Sequence, residues 1–179
     1  MQTVETMFSD KKTELLEWIL AHPTTEIKIR QTSKILHINA GYISTVIKEL
    51  QRKNIVKKNR INLENPNTRA LKILFNIQKI SSAARKLKNK SIVGVGVYGS
   101  WAKGTNIEDS DLDLWIKTTE EISVEDLSRI RGVIREQSGA HEVSLIVLTE
   151  KRIEEIKSKD QIFYSTLLNS FGIEGEFID

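Results

Sequence analysis

The chain of 179 residues contains no cysteine, which excludes disulfides and thiolate metal sites. No apolar run approaches the roughly 18–20 residues of a membrane-spanning helix. The N-terminus, Met1-Gln2-Thr3-Val4-Glu5-Thr6-Met7, lacks the basic-then-apolar pattern of a secretion signal. The expectation is a cytoplasmic protein with no membrane partner. No internal repeat or low-complexity stretch is visible. Hydrophobic content of 39% and charged content of 28% are globular values, and the length suits one ordinary domain or two small ones.

Acidic residues are scarce in the first half. Residues 1–90 hold 18 Lys and Arg against 7 Asp and Glu, whereas residues 91–179 hold 9 against 17. The net charge of +3 therefore conceals a basic half of +11 and an acidic half of −8. Such a split points to two modules with different partners. The basic module favours a polyanion, and the acidic one is suited to divalent cations.

In the basic half, Ser9 or Asp10 is an N-cap candidate for a first helix carrying Leu15, Leu16, Ile19 and Leu20. His22-Pro23 ends that helix, because the residue before proline avoids helical geometry. A second amphipathic helix is predicted at roughly 27–36, and a third at about 40–53 capped by Asn39. The third places Ile43, Val46, Ile47 and Leu50 on one face. Tyr42, Ser44, Thr45, Lys48 and Arg52 lie on the other. Ile55-Val56 and Arg60-Ile61-Asn62-Leu63 read as short strands, with Lys57, Lys58, Asn59 and Arg60 at the turn.

This order resembles a winged helix-turn-helix domain over about residues 10–65. The resemblance implies DNA binding, with Tyr42, Ser44, Thr45 and Lys48 near base edges. Lys57, Lys58 and Arg60 would meet phosphates. A module that only packs against protein or dimerises is the alternative, and a homodimer suits paired half-sites. Asn65-Pro66-Asn67 is turn chemistry. Asn67 or Thr68 could cap a connecting helix at about 68–87, with Leu71, Leu74, Phe75, Ile77 and Ile80 apolar.

The acidic half opens on Ile92-Val93-Gly94-Val95-Gly96-Val97-Tyr98, a buried-strand pattern. Gly94, Gly96 and Gly99 fit the string of a dinucleotide fingerprint, but they lie within the strand rather than opening a helix. Gly99-Ser100 turns into a short helix at about 101–105. Its backbone amides, the Ser100 hydroxyl and the Lys103 charge suit the tail of a nucleoside triphosphate. After a polar loop comes Asp111-Leu112-Asp113-Leu114-Trp115-Ile116. Strand alternation puts Asp111 and Asp113 on one face and Leu112 and Leu114 in the core. Two neighbouring carboxylates beside a phosphate cradle point to metal-assisted nucleotide chemistry.

Tyr98-Gly99-Ser100, ten residues, then Asp111-Leu112-Asp113-Leu114 resembles the signature of the DNA polymerase β-like nucleotidyltransferase superfamily. Gly99-Ser100-Trp101-Ala102-Lys103-Gly104 is especially similar to its minimal members, some of which are antitoxins paired with helical RNase toxins. The resemblance spans about residues 68–179. It implies nucleoside monophosphate transfer from a triphosphate to a hydroxyl, with Mg²⁺ (or Mn²⁺) held by Asp111 and Asp113. Gly99, Ser100 and Lys103 would bind the nucleotide.

The resemblance also implies a third carboxylate on a later strand, where Val143-Ser144-Leu145-Ile146 has serine instead. Glu142, two residues earlier and on the same face, is the candidate substitute. His141 faces the other way. A helix at 123–138 is capped by Ser123 and bears Leu127, Ile130 and Ile134 inside, with Arg129, Arg131 and Arg135 outside. Helices at 149–158 and 160–170 bring Ile153, Ile156, Ile162, Phe163, Leu167 and Leu168 mostly into the core, before a closing segment 172–177.

The expected fold class is α+β. A winged helix-turn-helix at 1–66 precedes a nucleotidyltransferase fold at 67–179, with 67–88 as the connecting helix and a small mixed sheet flanked by helices. The expected partners are DNA, a nucleotide and a toxin-type helical RNase. The alternative function is a DNA-binding regulator or antitoxin whose second module binds nucleotide or protein without efficient turnover.

Overall fold

The computed structural model describes residues 11–87 and 90–178. The candidate caps Ser9 and Asp10 lie outside them. The chain divides into two compact units at Lys72/Ile73.

The first unit contains α1 (Lys11–Ala21), α2 (Ile29–Leu36), α3 (Ala40–Arg52), β1 (Val56–Lys57) and β2 (Arg60–Ile61). Its core is the apolar set Leu15, Ile19, Leu20, Ile43, Val46, Ile47 and Leu50, all buried. Ile27 is also buried, but lies before α2 rather than in it. His37, with φ 53°, ends α2 in the left-handed region. The Asn39 side chain then accepts from the amides of Gly41 and Tyr42, as its place before the apolar stripe predicts.

The β1–β2 hairpin pairs Val56 with Ile61 and Lys57 with Arg60. Lys58 and Asn59 between them have φ of 50° and 57°, the twisted two-residue turn that matches strand twist. The Asn59 carbonyl accepts from Ile27 N at 2.7 Å, tying the turn to the segment before α2.

The helix α4 (Pro66–Ala84) starts earlier than the 68 expected and ends short of 87. Asn65, not Asn67 or Thr68, is its cap, because the Asn65 carboxamide oxygen accepts from Asn67 N at 2.9 Å. Pro66 then takes the first helical position, where no amide hydrogen is missed.

The second unit follows as β3 (Ile92–Tyr98), α5 (Gly99–Lys103), β4 (Leu112–Thr118), α6 (Val124–Ser138), β5 (Val143–Leu148), α7 (Glu150–Lys159), α8 (Gln161–Leu168) and β6 (Phe171–Gly175). The strands form one mixed sheet in the order β5-β4-β3-β6. Only β4 and β5 run parallel, which is why a crossover, here α6, connects them. The Ser123 hydroxyl accepts from Asp126 N and caps α6.

Strand alternation divides the core. Leu112, Leu114 and Ile116 pack with Ile80, Ala83 and Ala84 of α4 and Ile130 and Ile134 of α6. On the opposite face Trp115 and Leu148 pack with Ile153 and Ile156 of α7 and Leu167 of α8. Ile162 and Leu168 depart from the expected core, at 84% and 46% exposed, because α8 turns only one narrow stripe inward. Among the described residues, no helix is long and apolar enough to cross a membrane.

Gly96 explains one of the strand glycines. A Cβ there would lie 2.2 Å from the Trp115 ring, so the indole lies directly on the β3 backbone. Gly96→Ala is expected to cost about 1–3 kcal/mol through overpacking. Urea unfolding monitored by tryptophan fluorescence checks this, and an unchanged midpoint would place the indole elsewhere.

Candidate functional site

The site begins where β3 ends. Gly99 opens α5 at φ 68°, a left-handed conformation that suits glycine. A Cβ at this position would come within 2.2 Å of Asp113 Oδ2, so the bare Cα is also what admits the carboxylate. Tyr98 precedes α5 in extended geometry and supplies no side-chain cap to its amides. Ser100 is half-buried and Lys103 exposed.

Asp111 stands exposed just before β4, while Asp113 is half-buried within it, between the buried Leu112 and Leu114. The alternation read from the sequence thus holds. Burial first, and the Asp111 charge second, push the Asp113 carboxyl above the usual carboxylate range. Burial and a like charge both disfavour the ionised form of a carboxyl.

Asp113 is the middle of a row across the sheet. It pairs with Tyr98 of β3 on one side and with Ser144 of β5 on the other. Side chains so paired share a face. The Tyr98 phenol and the Ser144 hydroxyl lie close enough to interact, on either side of Asp113 in the row. Desolvation, then the Asp113 charge, raises the phenol above its ordinary range, and the Ser144 hydroxyl partly offsets this. Phe163 of α8 meets the Tyr98 ring edge-on at 5.9 Å between centroids.

Glu142 precedes β5, and its carbonyl accepts from Leu112 N at 2.9 Å. Its side chain is exposed, as is His141. Among the described residues, no three His, Asp or Glu side chains converge as a metal-holding group. The structure therefore brings Gly99 and Asp113 into contact, and places Glu142 outside any such cluster.

Two participants were not legible in the sequence. One is the Tyr98 phenol, read there as a strand residue and as the apolar position of the signature, with no role for its hydroxyl. The other is Asn76 of α4, whose carboxamide donates to Trp101 O at 2.9 Å and to Asn106 Oδ1 at 3.0 Å. The available signal for Asn76 was weak: it stands at four-residue spacing from Ile80, but Thr68 and Lys72 continue the same spacing as polar residues.

In the first unit, Tyr42, Thr45 and Lys48 are exposed on α3, while Ser44 is half-buried. The Thr45 hydroxyl donates to Gly41 O at 3.1 Å. Lys57, Lys58 and Arg60 are all exposed on the hairpin. Glu49 sits on the same helix but is held by Lys12 at 2.9 Å and Lys53 at 3.0 Å, which lower its carboxyl to about 2. The carboxylate stays ionised, its charge balanced by the two lysines. In the second unit Arg129 pairs with Asp126, and Arg131 and Arg135 are exposed.

Comparison with known proteins follows this geometry. The family described as polymerase beta, nucleotidyltransferase, matches residues 78–167, half of the chain and the part that carries Gly99, Asp111 and Asp113. No curated protein matches the chain. Among solved structures, one match is a crystal structure from Sulfolobus solfataricus described as a "putative nucleotidyltransferase". It shares 16% identity at a TM-score of 0.38, covering 62% of this chain and 92% of that one. The extent of the family match, over the segment that builds the Gly99–Asp113 contact, decides the assignment: the chain belongs to the polymerase β nucleotidyltransferase family.

Proposed function

We propose that the second unit binds a nucleoside triphosphate with a divalent cation and transfers its nucleoside monophosphate to a hydroxyl acceptor. We propose also that the first unit is a winged helix-turn-helix module that binds DNA. The observation that carries the first reading is the contact between the Asp113 carboxylate and the bare Gly99 backbone, beside a second carboxylate.

The donor set fits a hard cation. Asp111 and Asp113 would hold Mg²⁺ or Mn²⁺, which when bound supplies positive charge for the transferring phosphoryl group and the departing pyrophosphate. The chain's own residues do the rest. Gly99 leaves the backbone open to a phosphate, the Ser100 hydroxyl donates to it, and Lys103 balances its charge. The acceptor oxygen bonds to the α-phosphorus as the bond to the β-phosphate oxygen breaks. The acceptor proton passes to Glu142, the carboxylate next along the face from Ser144.

The register of Ser144 favours a second reading. Its hydroxyl, close to the Tyr98 phenol, stands directly beside Asp113, and serine is no base at neutral pH. On that reading the unit binds nucleotide with weak turnover, and the protein is a DNA-binding regulator or an antitoxin facing a helical RNase.

Three outcomes test these readings. Asp113→Asn is expected to raise the unfolding temperature of the cation-free protein, since it removes a repelled, half-buried charge. It should also abolish the stabilisation by MgATP and lower labelled-nucleotide transfer by roughly 10²–10³-fold. Equal MgATP stabilisation of both proteins would reject the cation assignment.

Ser144→Asp is expected to increase transfer at least about tenfold, and Glu142→Gln to remove the wild-type rate. Radiolabelled ATP with candidate acceptors measures both. An unaffected Glu142→Gln rate excludes Glu142 as the base.

On the hairpin, Lys58→Gly relieves left-handed strain of about 1 kcal/mol while deleting a cation. It should raise stability yet reduce the log–log salt slope of DNA binding by about 0.9. Together Lys57→Ala, Lys58→Ala and Arg60→Ala should abolish salt-dependent retention, and unchanged retention would reject the wing assignment.

A further inference from the structure

Asn76 has a role that core packing alone does not explain. On α4 it lies one turn before Ile80, whose face, with Ala83 and Ala84, packs into the sheet core. Asn76 is 6% exposed in that setting. Burying a carboxamide is unfavourable unless its hydrogens find acceptors, so an isosteric leucine would serve packing better. Both of its donor hydrogens have partners. One bond goes to the carbonyl of Trp101 within α5, the other to the side chain of Asn106, itself 5% exposed.

Those two partners flank the site. Trp101 lies on α5 between Ser100 and Lys103. Asn106 lies in the loop that runs on to Asp111. Other bonds stiffen the same loop. Ile107 N donates to the Ser110 hydroxyl at 2.9 Å, and Ser110 N donates back to Ile107 O at 3.1 Å. The Trp101 indole also donates to Ser110 O at 3.4 Å. Asn76 is the member of this set that comes from a separate element, and it fixes both segments to α4.

We propose that Asn76 is a positioning residue for the nucleotide site, holding α5 and the 104–111 loop together so that Ser100, Lys103 and Asp111 face one ligand. The inference rests on the nucleotide reading above. Removing the carboxamide loosens the loop without altering any group that touches the nucleotide.

The test pairs two measurements on the full chain. Hydrogen exchange followed by peptide mass analysis reads the loop without any ligand, and calorimetric titration with MgATP reads the site. Asn76→Leu and Asn106→Leu are each expected to speed exchange across 104–111 by roughly tenfold, the loss of about one hydrogen bond. β3 and β4 should keep their protection. Asn76→Ala and Asn106→Ala, which remove the bond without adding bulk or charge, should show the same faster loop exchange, so the proposal remains testable if either leucine variant folds poorly. MgATP affinity should fall by roughly tenfold in the leucine variants.

Loop exchange unchanged in both leucine variants would overturn the proposal, as would faster exchange spread equally over the sheet. Failure of the wild-type protein to bind MgATP would instead overturn the nucleotide reading, and with it the role of Asn76 in binding. Intact MgATP affinity in a leucine variant with a loosened loop would show that the hold is structural only, and would overturn the positioning role.

Discussion

The nucleotidyltransferase unit depends on one crowded point, where the Asp113 carboxylate rests against the backbone of Gly99. Each partner makes the other necessary. Glycine is required because a side chain would occupy the carboxylate's position, and because φ there is 68°. The carboxylate is held half-buried near a second negative charge, a state that costs stability unless something positive arrives. On the proposed reading, that positive charge is the cation of a bound nucleotide at the start of β4.

The row through that point separates two chemical questions. On the proposed reading, nucleotide binding would draw on Gly99, Ser100, Lys103, Asp111 and Asp113, around the β3–α5 turn and the start of β4. Proton removal from an acceptor would draw on the other neighbour of Asp113, where β5 supplies Ser144 close to the Tyr98 phenol. Two hydroxyls can orient an acceptor by hydrogen bonds but take no proton at neutral pH. Nucleotide binding and turnover are thus separable properties here. The family assignment speaks to the fold that supports both, and the sheet register locates the residue that divides them.

Legibility in the sequence followed the range of the interaction. Asn39 and Ser123 were readable as caps because a cap acts within three residues. The half-buried Asp113 between buried Leu112 and Leu114 was readable because strand parity fixes its face, although Asp111, expected in the strand, lies just before it. The Asn65 cap was missed because Pro66 at the first helical position shifted the start of α4 by two residues. Ile162 and Leu168 were misread because their spacing fits an inward stripe, and nothing local says how much of α8 the sheet can cover. Asn76 escaped for a stronger reason. Its partners lie 25 and 30 residues away, and no periodicity encodes a bond between a helix and two loop segments. Tyr98 and Ser144 are likewise brought near each other only by the fold, across a strand that separates them.

The hairpin of the first unit carries the same logic of tolerated cost. Two-residue turns of this twist favour Asn-Gly, and here Lys58-Asn59 takes the left-handed pair instead. Asn59 has a structural reason. Its carbonyl accepts from Ile27 N, and its side chain accepts from Gln51 on α3 at 3.4 Å. Lys58 is exposed, and among the described residues no bond from its side chain offsets its strained φ. What it gains is position. The turn sets its ammonium at the tip of a hairpin whose flanks, Lys57 and Arg60, are paired and also exposed. The Glu49 charge on α3 is balanced by Lys12 and Lys53. The hairpin thus presents three exposed cations together, which is the feature that the proposed DNA-binding role of the first unit rests on.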